Sequence, residues 1–181
     1  MFIELLRALV FSALPVLLFS YLIISLAIRS GKLTQNVDAK AFDNALKNLS
    51  STHKKSKIKT PFYKTSAQDM LLNKWLFFGS GFYGVMAFGT YVCIETLEIF
   101  NFIAGLLSLS LSQFFSNLSI NMLVDFIVNA ILNLVDAFVW FNYWMQQIDM
   151  QNGWFWLVAA YLGFLGGSKL ARRYSFKKLA F

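Results

Sequence analysis

Histidine, cysteine and proline are almost missing from this chain: one His (His53), one Cys (Cys93) and two Pro (Pro15 and Pro61) among 181 residues. A single cysteine excludes a disulfide framework, and one Cys with one His leaves no ligand set for a Cys/His zinc site. Most histidine-dependent acid-base catalysis goes with them. Charge is scarce too, at 14% of residues, against about 25% in ordinary soluble domains. What fills the chain is apolar, 57% hydrophobic and 18% aromatic with a mean hydropathy of +0.57. That balance predicts an integral membrane protein whose spans are helices of about 20 residues.

The net charge of +7 matters less than its placement. Eleven of the sixteen Lys and Arg lie at or before Lys74 and five at or after Lys169, while residues 75–168 carry none. That cation-free stretch holds Glu95, Glu98, Asp125, Asp136 and Asp149. Basic residues collect on cytoplasmic segments, so the sequence divides into residues 1–28 as a first transmembrane helix, 29–73 as a basic cytoplasmic loop, 74–168 as an apolar membrane domain and 169–181 as a basic cytoplasmic tail. The N-terminus is then expected outside and the C-terminus in the cytoplasm, in the simplest setting a bacterial inner membrane.

Residues 8–28 are uncharged and long enough to span, with Pro15 a local kink. Ser25-Leu26-Ala27 has the small residues of a signal cleavage site, but the apolar run is too long for one and its flank, with Glu4 and Arg7, is neutral. In residues 36–50 Phe42, Ala45, Leu46 and Leu49 recur at helical spacing opposite Lys40, Asp43 and Lys47, which predicts a short amphipathic helix. Lys54, Lys55, Lys57 and Lys59 follow within six residues. Such a cluster is a topology signal, and also a contact for anionic headgroups or an acidic partner; without interleaved aromatics it is not a nucleic-acid groove.

Ser66-Ala67-Gln68-Asp69 resembles a capping box that opens a helix near Ala67. This helix is expected to enter the membrane at Trp75 and leave at about Ile94, with Glu95 and Glu98 at the far interface. Ser80, Gly84 and Ala87 share one of its sides. The last span reads as Trp154–Ser168, short against a usual minimum of roughly 17 residues. Ala159, Gly163 and Gly167 repeat every fourth residue there, the small-residue pattern that lets helix backbones approach. That face is expected to pack on Ser80, Gly84 and Ala87, or on a copy of itself.

Between these lie an apolar run, Ile99–Phe115, and a longer stretch, Leu118–Trp144. In the latter Asn121, Asp125, Asn129, Asn133 and Asp136 fall within one third of the helical circumference, with Trp140, Tyr143 and Gln147 on the same arc. Trp140, Tyr143, Trp144, Trp154 and Trp156 suggest an aromatic belt at the outer interface. Two layouts fit. The favoured one is an all-α bundle of about five transmembrane helices. The alternative keeps three spans and lays residues 99–148 on the outer face as amphipathic helices, which avoids burying two aspartates at about 2.5–3.5 kcal/mol each.

Chemistry is harder to find. Gly79-Ser80-Gly81-Phe82-Tyr83-Gly84 matches G-x-G-x-x-G, but inside a helix with no strand before it the motif reads as packing rather than nucleotide binding. Asp125 and Asp136 would stand about 16 Å apart on one helix, too far to flank a scissile bond, where about 5–9.5 Å is needed. Glu95 and Glu98 anchor a helix end, His53 is solvated and Cys93 inert. The Asn48 and Asn117 sequons carry no information on the cytoplasmic side or in a membrane. No internal repeat of the transporter kind is evident.

The expected function is therefore non-enzymatic, with no metal and no cofactor: a small scaffold or accessory subunit of a membrane assembly. Its expected partners are the bilayer, its own copies or other membrane subunits, and no nucleic acid. The rival is a homo-oligomeric cation channel lined by the Asn/Asp stripe.

Overall fold

A computed structural model describes residues 2–35, 37–55, 66–108, 120–148 and 152–174. Lys57 and Lys59, the 116–119 turn and the tail beyond Tyr174 lie outside them. Every element is helical: α1 (Phe2–Arg29), α2 (Ala39–Lys55), α3 (Ala67–Phe78), α4 (Phe82–Ser108), α5 (Ile120–Phe138), α6 (Trp140–Gln147) and α7 (Gly153–Tyr174). No strand occurs among the described residues. The chain forms two compact units, one of residues 1–86 with 148–181 and the other of 87–147. The boundary falls inside α4.

Among the described residues two helices, α1 and α4 as far as Gly105, are long and apolar enough to cross a membrane, or three if the bent pair α5–α6 counts as one span. The described helices do not establish the five expected spans, and three local features differ from that layout. First, α3 stops at Gly79, which takes φ +124°, a conformation that a residue with a Cβ rarely adopts. The span expected over 75–94 therefore begins at Phe82 and continues past Glu95 and Glu98 as one helix. Second, the expected start of a new span at Ile99 lies within that helix. Third, 118–144 is not straight: α5 and α6 meet at 97° around Val139. With neither Gly nor Pro at the bend, tertiary contact holds it; Trp140 is buried and the Trp144 indole is hydrogen-bonded.

The first unit is organised by α1 and α7, which make its most extensive helix contact. Both run in the same direction, since Glu4 meets Asn152, Ser12 meets Trp156, Ala13 meets Gly163 and Tyr21 meets Tyr174. The basic ends of the two helices, Arg29 with Lys32 and Lys169 with Arg172 and Arg173, consequently lie together. A π turn over Leu9–Ala13 precedes Pro15; the wider turn absorbs a ring that cannot donate to the carbonyl one turn back. α7 has span length but is not among the helices apolar enough to cross, because glycines, tyrosines and Lys169 dilute its hydropathy.

At the basic end α2 and α3 pack on each other. The expected amphipathic pattern is visible in α2: Phe42 and Leu46 are buried, whereas Lys40, Asp43 and Lys47 are exposed. Ser66 caps α3 by accepting a hydrogen bond from the Gln68 N–H at 3.3 Å. Leu72, Trp75 and Leu76 form its buried face. Lys32 ties α3 back to the end of α1, 3.4 Å from both the Asp69 carboxylate and the Asn73 amide oxygen. These half-exposed contacts contribute about 1 kcal/mol or less.

Candidate functional site

The small-residue face of α7 is used within the chain. A Cβ on Gly163 would lie 3.0 Å from the Ala13 Cα and closer still to its carbonyl oxygen; one on Gly167 would collide with the Ser20 hydroxyl and the Leu17 carbonyl. Ala159 is buried beside Trp156 and Ala8. The partner of this face is thus α1, rather than Ser80, Gly84 and Ala87. The physical reason is the break at Gly79, which takes Ser80 out of the helix. Ser80 instead donates a buried hydrogen bond to the Leu46 carbonyl of α2. Gly84 packs its bare Cα against the Gly79 backbone, and Ala87 is buried.

At the other end of the α1–α7 pair stands Glu4, which is buried and accepts a hydrogen bond from the Asn152 N–H at 2.7 Å. Asn152 immediately precedes α7, so the carboxylate sits at the positive end of that helix's dipole. In the sequence Glu4 stands only as part of a neutral flank with Arg7. Glu4→Ala should lower the chain's stability by about 1.5–3 kcal/mol, the usual range for a hydrogen bond to a charged group, and Glu4→Gln by less. Thermal unfolding in detergent measures both, and an unchanged midpoint for Glu4→Ala would remove the capping role.

The polar stripe of the second unit is divided by burial. Asp125 and Asn129 are exposed, Asp136 is half-buried and Asn133 is buried, its Nδ2 without a hydrogen-bond partner among the described residues. Asn121 stands one turn before Asp125 on α5. Around the Asp125–Asn129 pair the surface is apolar and uncovered: every side chain from Val124 to Leu132 is exposed. The far end of the stripe is engaged. Trp140 is buried, and the Trp144 indole N–H donates to the buried Thr90 hydroxyl of α4 at 2.8 Å. Tyr143 lies within electrostatic reach of Cys93 and of Asp136.

Thr90 was not singled out by the sequence. A double-mutant cycle of Thr90→Val with Trp144→Phe should give a coupling of about 0.6 kcal/mol, and no more than about 1.7, as for polar contacts between membrane helices. A coupling indistinguishable from zero would mean that α6 is held on α4 by packing alone.

No group of three or more His, Cys, Asp or Glu that could hold a metal occurs among the described residues. The basic loop is only partly described: Lys54 and Lys55 fall in the last turn of α2. No protein family matches the chain, and no match is found among curated proteins or solved structures.

Proposed function

We propose that this protein is a non-enzymatic membrane subunit that joins a larger assembly, of its own copies or of other chains, through α5. The observation that carries the reading is the nine-residue run from Val124 to Leu132, wholly exposed and containing Asp125 and Asn129. With α5 in the bilayer, an uncovered Asp costs about 2.5–3.5 kcal/mol on insertion scales, so it must face protein or water. The small-residue face of α7 is already occupied by α1, whereas the Val124–Leu132 length of α5 is uncovered among the described residues. In this reading α7 crosses beside α1 in the same direction, with their shared basic end in the cytoplasm.

The decisive experiment is the native mass of the protein extracted in mild detergent, with every co-purifying chain identified. A single chain, alone, in several mild detergents would defeat the proposal. The exposed Asp125–Asn129 face also supports a second reading, a ring of copies around a cation path. It requires a closed homo-oligomer whose conductance responds to Asp125→Asn; unaltered flux in that variant excludes it.

A further inference from the structure

We infer that α2 is an electrostatic, non-inserting contact for anionic lipid headgroups, made by the face that carries Lys40 and Lys47. An amphipathic helix beside a membrane ordinarily binds by burying its apolar face in the acyl boundary, with basic residues adding to the attraction. Here that face is consumed by the protein. Phe42 and Leu46 are 1% and 3% exposed. The Arg172 guanidinium lies over the Phe42 ring at 5.6 Å from its centroid, and Ser80 is hydrogen-bonded to the Leu46 carbonyl. Ala45 and Leu49 are half-buried, and residues 39–51 of α2 hold no large exposed apolar side chain to enter a bilayer, so charge is what they offer for contact.

That charge is ordered. Lys40 and Lys47 are both exposed and stand seven residues apart, which places them on one line of the helix about 10 Å from each other. Lys54 and Lys55 close the same helix. Asp43 is the one acidic residue on the exposed side. Arg172 also reaches to 3.5 Å from the Val37 carbonyl just before α2. The helix is therefore anchored at the end of the α1–α7 pair where Lys169, Arg172 and Arg173 also lie. A cationic row at the end of a membrane-length helix meets headgroups, and phosphate-bearing anionic ones complement it. A second copy, bearing the same positive row, does not. The inference stands on α2 alone and is independent of what covers α5.

The test uses the full chain in nanodiscs of phosphatidylcholine mixed with phosphatidylglycerol, with retained lipids counted by native mass spectrometry. Wild-type protein should retain phosphatidylglycerol preferentially, and raising the salt concentration should abolish the preference. Replacing Lys40→Gln and Lys47→Gln together should weaken it by roughly 30-fold, as expected for about 1 kcal/mol per basic side chain near an anionic surface. Both positions are exposed, and helix content by circular dichroism checks that the fold is kept. Three results would overturn the inference: no preference in the wild type, which would point to an acidic protein as the partner; a preference that survives high salt, which would mean insertion; or one that the double variant leaves intact.

Discussion

Gly163→Leu should separate α1 from α7 and cost the chain about 3 kcal/mol or more, at the upper end of overpacking substitutions. The reason is what the new side chain meets. The Ala13 backbone fills the space a Cβ would need, and a backbone cannot rotate aside as a side-chain tip can. With the pair in a bilayer, as proposed, no hydrophobic gain offsets this, because lipid is as apolar as leucine and helix contact depends on close van der Waals approach. Gly167→Leu should behave alike, against Leu17 and Ser20, whereas Leu162→Ala, at a side chain 56% exposed, should be nearly neutral. Thermal unfolding of the purified single chain gives the answer. If Gly163→Leu melts like wild type yet dissociates a complex, α7 is an assembly face and the internal pairing with α1 is wrong.

The opposite pattern is expected on α5. Replacing Asp125→Leu together with Asn129→Leu should leave the isolated chain as stable as before, since both side chains are exposed. Its assembly should suffer: interhelical polar contacts in membranes contribute about 1–2 kcal/mol each in peptide systems, so losing two weakens association by more than tenfold. Native mass at matched protein concentration reads this directly. An assembly that persists at undiminished yield would show that something other than the Asp125–Asn129 face joins the subunits. Together the α7 and α5 variants separate contacts that fold the chain from contacts that gather chains.

What could be read from the sequence followed how local each signal is. The amphipathic period of Phe42, Ala45, Leu46 and Leu49 and the cap at Ser66 depend on neighbours within four residues, and both are where spacing put them. The Ala159, Gly163 and Gly167 stripe shows that something approaches closely, but not what. Its partner, around Ala13, Leu17 and Ser20, is some 150 residues away in the chain. The break at Gly79 was hidden for a different reason. A Gly-Ser-Gly inside an apolar run fits both a packed helix and a stop, and only the positive φ of Gly79 decides. Glu95 and Glu98 looked like the end of a span because charge usually marks an interface, yet helix α4 runs through them. The bend at Val139 had no glycine or proline to announce it. Thr90 was silent because a helical threonine often satisfies its hydroxyl on its own preceding turn, as Thr96 does with the Val92 carbonyl at 2.7 Å. The hydrogen bond from Trp144 to Thr90 spans 54 residues, beyond any periodic signal.

The shared direction of α1 and α7 sets an order of events during synthesis. The groove of α1 that receives Gly163 and Gly167 is made about 150 residues before the helix that fills it. The contact from Ser12 to Trp156 closes over 144 residues and that from Tyr21 to Tyr174 over 153. At about 5–20 residues per second, α1 waits roughly seven to thirty seconds with its docking surface bare. For that interval Ser12 and Ser20 face lipid, chaperone or a neighbouring nascent chain. The closing of this pair is therefore the step at which the folding chain passes from separate helices to a committed tertiary structure.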